Sequence, residues 1–419
     1  MDADLIIHSA AQLLTLAGGP QRGRELGRLA IIEDGAVAVA NGKILAVGAS
    51  SDMRRTYAAP EEIDAAGQVV LPGFVDAHTH LVWAGDRAAE FEQRIAGASY
   101  MEIMAAGGGI ASTVTKTRQA SVEDLMREAR PRLTRMLRHG TTTAEAKTGY
   151  GLETEAELRM LEVILRLDKE GPVRLVPTFL GAHAVPPEFQ DHPQAYVDKV
   201  CGEMLPAVRE WWNLHASTRR LPFVDVFCEA GAFDLEQTRR ILETARRLGF
   251  PLKVHADEFA SLGGTRLAVD MGAASADHLV HTTRSDIEAL GLGSTVAVAL
   301  PATPFGLGET RFTPAKEILA AGGLLALASD LNPGTAWCEN MQFIIALACR
   351  TMRLTPAQAI AASTINAAAA IGHEAHVGSL EPGKEADVLI LDFPDYRHLG
   401  YRFGTNLAAH VLRAGRVVA

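Results

Sequence analysis

The sequence predicts an α/β chain: a (β/α)8 TIM-like barrel that interrupts a small β-sandwich built from both chain ends. Three observations lead there. Eight apolar strand-like runs alternate with helical patterns between residues 69 and 372. Both ends of the chain carry short runs of strand character instead. Polar residues, histidines above all, gather at the C-terminal ends of the middle runs, where a barrel of this kind keeps its active site.

Residues 1–68 read as the first part of the sandwich. Leu5 to Ile7, Leu29 to Ile32, Ala36 to Val39 and Lys43 to Gly48 are short apolar runs. Asn41-Gly42 between two of them is a hairpin signal, because both residues tolerate the positive φ that a type I′ turn needs. His8 stands alone and reads as structural. Residues 373–419 repeat the pattern: a turn over Gly378 to Lys384, then strands over Ala386 to Leu391 and Ala408 to Leu412. The two ends are expected to pair, since domain termini tend to lie close together.

The middle segment, 69–372, supplies the barrel. Its strands are expected over Val69–Asp76, Thr141–Ala144, Val173–Phe179, Val224–Cys228, Leu252–His255, Ala274–Asp277, Thr295–Leu300 and Leu324–Ser329. Helical patterns such as Glu155–Lys169 and Leu235–Leu248 separate them. An open doubly wound sheet is the competing architecture, but no G-x-G-x-x-G follows the first strand. Gly107-Gly108-Gly109 has no Walker lysine after it and reads as a flexible loop.

Composition narrows the function. The chain has 419 residues, 48% of them hydrophobic, and a net charge of −10 with no basic block, which argues against a nucleic-acid partner. Mean hydropathy is +0.08. Four scattered cysteines form no C-x-x-C pair, so neither a disulfide framework nor a cysteine zinc site is expected. Asp2 and Asp4 stand where a signal peptide would carry basic residues, and no apolar run is long enough to span a membrane. These features predict a cytoplasmic protein.

The strand ends carry the chemistry. Strand one leads to His78 and His80, which share a face because side chains alternate along a strand. Strand two ends at Glu145-Ala146-Lys147, followed by Tyr150 between Gly149 and Gly151. Strand three leads to His183, strand five to His255 and Glu258, strand six to His278 and strand eight to Asp330. Three imidazoles and one carboxylate, from His78, His80, His255 and Asp330, form a donor set for zinc or iron. Glu258, just past His255, can take a proton from water and hand it to a leaving nitrogen. His278 can orient the attacking water or polarise a carbonyl. Each residue alone has a plainer reading: a satisfied structural histidine, or a carboxylate at a helix start.

The segment Asp76-Ala77-His78-Thr79-His80-Leu81-Val82-Trp83-Ala84-Gly85-Asp86-Arg87, with Glu90, Phe91 and Arg94 after it, resembles the imidazolonepropionase family of the amidohydrolase superfamily. So do 107–114, 147–152, 179–183, 225–229, 255–259, 275–279 and 329–335, and the resemblance covers nearly the whole chain. It implies hydrolysis of the ring amide bond of 4-imidazolone-5-propanoate to N-formimidoyl-L-glutamate in L-histidine degradation. It also implies one Zn2+ or Fe3+ per chain on His78, His80, His255 and Asp330, and a homodimer. By the same resemblance, Arg87, Tyr150 and His183 contact this small anionic substrate, Asn332, Gly334 and Thr335 touch it, and Glu258, His278 and Asp330 serve catalysis.

Arg87 suits that role independently, because an arginine fork clamps a carboxylate; its plainer reading is a salt bridge to Asp86 or Glu90. Strand four ends at Cys228-Glu229, without the bridging lysine of two-metal relatives, which argues for one metal ion. Trp83 stands where phenylalanine is more usual. A superfamily deaminase acting on a guanine- or cytosine-like ring is the nearest alternative, and a non-catalytic relative the more remote one.

Overall fold

The computed structural model describes residues 2–97 and 108–419; Gly107 of the glycine run lies outside them. Eight parallel strands form the barrel: β1 (Phe74–Asp76), β2 (Thr141–Lys147), β3 (Arg174–Ala182), β4 (Phe223–Cys228), β5 (Leu252–Ala256), β6 (Ser275–His278), β7 (Val296–Ala299) and β8 (Leu324–Leu327). Each strand from β2 to β7 is hydrogen-bonded to its two sequence neighbours. Helices alternate with them, including Thr154–Glu170 and Leu235–Arg247 where the pattern predicts them.

The expected first strand, Val69–Asp76, is two strands in two sheets. Val69–Pro72 pairs antiparallel with Val388–Leu391 and parallel with Gln12–Leu14 in the sandwich. Only Phe74–Asp76 pairs with β2. The sequence hides the switch because both stretches are fully buried and apolar. Its cause is Pro72-Gly73. Pro72 has no amide proton to donate. Gly73 donates instead to the Asp387 carbonyl, and Phe74 to that of Gly140. The crossing is tight, since a Cβ on Gly73 would lie 2.4 Å from Thr142 Oγ1.

The sandwich has a four-stranded and a six-stranded sheet. Leu5, Ile7, Val37 and Val39 of one pack against Leu13, Val70, Val388 and Ile390 of the other. The Asn41-Gly42 hairpin forms between Gly35–Ala40 and Lys43–Ala49, with φ of 54° and 74°. His8 is buried 3.4 Å from Glu62, in a structural role.

One end of the barrel is apolar. Val75, Val176, Phe223, Val296 and Val298 pack there with Ala367, Ala368 and Ile371, in and after the helix Ile365–Ala370. The other end is polar, and the barrel closes there. No run of ladder bonds joins β8 to β1. Instead Asp330 N donates to the His78 carbonyl (3.0 Å) and His80 N to that of Leu331 (2.8 Å). Just below, the buried Asp76 carboxylate accepts from Ser329 N (2.9 Å) and Ser329 Oγ (2.5 Å).

Replacing Gly73 by alanine is expected to destabilise the protein by about 1–3 kcal/mol, the usual effect of overpacking. The Gly73→Ala/Thr142→Ala pair should recover much of the loss. Denaturant midpoints check this, and an unchanged Gly73→Ala midpoint would show that the crossing has room to spare.

Candidate active site

His78, His80, His255 and Asp330 converge at the polar end of the barrel, all nearly inaccessible to solvent. His78 Nε2 lies 3.4 Å and His80 Nε2 3.5 Å from Asp330 Oδ1. His255 Nε2 faces His80 Nε2 at 3.5 Å. His78 Nε2 and Asp330 Oδ1 are buried without a hydrogen-bond partner. A buried polar atom left so is costly. Four donor atoms turned toward one another, two of them otherwise orphaned, fit a metal ion. Burial opposes ionisation of Asp330, but His78 and His80 outweigh it and hold the carboxyl well below its usual range. Burial pushes His80 down and His255 well down, so both keep a lone pair for a metal.

Two residues of the site show how firmly it is held. Asp330 and His278 adopt left-handed backbone conformations, with φ of 53° and 79°. Such conformations cost a non-glycine residue of order 1–3 kcal/mol and persist only where the surroundings impose them. Thr303 Oγ1 donates to Asp330 Oδ2, and Thr313 Oγ1 to the His278 carbonyl.

A layer of buried charge lies beneath. Asp277 Oδ2 is 2.6 Å from His78 Nδ1, and Asp225 Oδ2 is 3.0 Å from His255 Nδ1. Lys147 Nζ contacts Asp225 (2.7 Å), Glu145 (2.8 Å) and Asp277 (3.7 Å). Lys253 Nζ contacts Glu145 (2.9 Å), the Ala77 carbonyl (2.9 Å) and Asp277 (3.7 Å). Burial works against each charge. The carboxylates nonetheless raise the Lys147 ammonium; His255 and Lys147 hold Asp225 low, and Lys253, His78 and Lys147 hold Asp277 low. Asp277 thereby fixes a proton on His78 Nδ1 and turns Nε2 toward the centre, and Asp225 lies against Nδ1 of His255 in the same sense.

Above the centre opens a cavity of about 670 Å³. Arg87, Tyr150, His183, Glu258, His278, Asn332, Gly334 and Thr335 all line it, as do His80, His255 and Asp330. Glu258 Oε2 lies 3.6 Å from His278 Nε2. Burial, then the negative charges of Asp330 and Glu229, push the Glu258 carboxyl well above its ordinary value. Burial pushes His278 and His183 down to about 3, so both are neutral. His183 Nδ1 is 2.9 Å from the Gly149 carbonyl and donates to it, and the ring stacks on His80 at 4.8 Å.

Arg87 makes the salt bridge that its plainer reading foresees, Nε to Glu90 Oε2 at 2.7 Å, and lines the cavity as well. Asn332 spends its side chain on its own loop. Its Oδ1 accepts from Gly334 N and Thr335 N (both 2.8 Å), and its Nδ2 donates to the Asp330 carbonyl (2.7 Å). Trp83 packs under the Arg132 guanidinium, 3.3 Å from its ring centre, and donates to the Gly85 carbonyl.

The sequence pattern of the amidohydrolase family matches residues 69–418. The chain belongs to the amidohydrolase family. It is 52% identical over 416 residues to an imidazolonepropionase of Herpetosiphon aurantiacus, an alignment covering 99% of this chain and 97% of that one. An imidazolonepropionase of Chloroflexus aggregans is 52% identical over 419 residues, covering 99% and 98%. Among solved structures, an adenosine deaminase from Xanthomonas campestris with bound zinc superposes with a TM-score of 0.69. It is 20% identical and covers 99% of this chain and 93% of that one. This likeness shows the shared fold.

Within this amidohydrolase-family site, several residues escaped sequence reasoning. Glu157, fully buried, accepts from Gly149 N, Gly151 N and Leu152 N and so fixes the Tyr150 loop. Glu229 accepts from Phe259 N (2.9 Å) and Ala260 N (3.3 Å) and fixes the loop bearing Glu258. Lys253 left a trace: a lysine inside an apolar barrel strand is rarely tolerated without a partner. Asp277→Asn removes the negative charge of the acceptor facing His78 Nδ1 and should weaken metal binding about 10–100-fold. Competition for the metal with a chelator measures this, and an unchanged affinity would relieve Asp277 of the role.

Proposed function

We propose that the chain hydrolyses the ring amide bond of 4-imidazolone-5-propanoate to N-formimidoyl-L-glutamate, a step of L-histidine degradation. One observation carries this reading. The four converging donors open onto a cavity that also holds a guanidinium, Arg87, suited to a substrate carboxylate. Relatives named imidazolonepropionase, 52% identical over nearly the full length, support it. We propose a single ion per chain, zinc or iron, on His78, His80, His255 and Asp330; three imidazoles and a carboxylate suit both. A bound ion would acidify water and polarise a carbonyl.

The protein's own groups do the rest. Arg87 binds the propionate, and Tyr150 and His183 wall the ring. Neutral His183 carries its proton on Nδ1, which leaves Nε2 as an acceptor. His278, neutral with an unpartnered Nε2, orients water against the ring carbonyl. Glu258 takes a proton from that water as the new C–O bond forms. Its raised proton affinity lets it hold the proton, then deliver it to the ring nitrogen as the C–N bond breaks. Asn332 shapes the loop on which Gly334 and Thr335 meet the substrate. A homodimer in the cytoplasm completes the proposal; no helix among the described residues is long and apolar enough to cross a membrane.

The test pairs two measurements on one sample: metal content by elemental analysis and loss of imidazolonepropionate absorbance. About one metal per chain with turnover is expected. Metal without turnover overturns the substrate assignment and directs attention to ring deamination. Glu258→Gln should retain the metal and lower kcat by roughly 10²–10⁴-fold; a near-normal rate would remove Glu258 from proton transfer.

A further inference from the structure

Arg87 and Arg94 flank a single helix. Arg87 is the residue before Ala88–Ile95, and Arg94 lies in its last turn. Their spacing of seven, with Glu90 between them, puts all three side chains on one face. That face forms a wall of the cavity. Both guanidiniums meet the loop that follows Asp330. Arg94 Nη2 donates to the Gly334 carbonyl at 3.0 Å, and a Cβ on Gly334 would fall 2.5 Å from Arg87 Nη1.

The charges on this wall do not balance. Glu90 bonds Arg87 Nε at 2.7 Å and also accepts from Gly109 N at 3.1 Å. Among the described residues, no carboxylate lies within ion-pair distance of Arg94. Its partner is a neutral carbonyl, and a guanidinium has five N–H donors to place. Among the described residues, two cations against one anion leave this wall net positive, although the chain carries −10 overall. The other charged groups of the cavity, Glu229, Glu258, Glu309 and Asp330, are all acidic. An anionic group entering the cavity therefore finds its guanidinium partners on this wall.

We propose that Arg94 is a second carboxylate-binding residue, acting with Arg87 to make an acidic side arm a requirement for substrates of this site. The inference rests on the hydrolase reading above and adds a specificity determinant to it. The two guanidiniums hold the carboxylate, and the ring is thereby delivered to His278 and Glu258. Orientation comes from the fixed position of the two guanidiniums on this wall.

Arg94→Gln and Arg94→Lys test it. Kinetics are measured with imidazolonepropionate and with the same ring bearing an ethyl group in place of the propionate. Arg94→Gln should lower the ratio of the two kcat/KM values about 10–100-fold, the weight of a lost charge-assisted pair. The loss should fall on KM rather than kcat, and Arg94→Lys should restore part of it. Calorimetry with 3-(imidazol-4-yl)propanoate, which has no bond to hydrolyse, should show a matching rise in Kd. An unchanged ratio, or equal losses for both substrates, overturns the proposal. A wild-type protein that binds the imidazole propanoate in an Arg94-dependent way, yet turns over no imidazolonepropionate, keeps this anion site and overturns the substrate reading instead.

Discussion

The seam between β1 and β8 is the constraint on which the site depends. It has no run of ladder bonds to hold it shut. Its closure comes from the Asp76–Ser329 hydrogen bonds and from two backbone bonds between the segments bearing His78, His80 and Asp330. The residues that close the barrel are thus the proposed metal donors or residues within two positions of them. Barrel closure and donor convergence are one event, and a gap at the seam would part His78 from Asp330 directly.

The charge layer below follows the same logic. Burying Glu145, Lys147, Asp225, Lys253 and Asp277 carries a desolvation penalty that hydrophobic residues would avoid. What the layer provides is direction. Asp277 and Asp225 hold His78 and His255 best while ionised, and Lys147, with Lys253 beside Asp277, helps to keep them so. Glu157 and Glu229 act alike one level up, each gathering backbone amides so that a loop presents Tyr150 or Glu258. Buried polar groups thus govern the placement of those that line the cavity.

The barrel was legible in the sequence because apolar runs and helical patterns alternate cleanly, and because histidines mark the ends of the runs. His78, His80, His255 and Asp330 could be picked out since their chemistry is visible in the residue type. The second layer could not. Asp277 lies 199 positions from His78, and no local pattern links them. Strand β2 reaches Lys147, past the expected Ala144, because the barrel interior there is charged and hydrophobicity gives no guide. The division of Val69–Asp76 left only Pro72-Gly73 as a clue, since burial on either side of it is the same. Asn332 shows the converse: a polar residue in the right place whose side chain holds its own loop.

The strand Val69–Pro72 sets an order of events in biosynthesis. It runs, through Gly73, into the segment that carries His78, and its antiparallel partner is Val388–Leu391, near the C-terminus. The ribosome therefore emits all four donors before the strand that anchors the first of them exists. Such long-range pairing forms late, after its loop-closure entropy has been met. A nascent polypeptide stalled before residue 388 would carry His78 without the sandwich strand that pairs with Val69–Pro72.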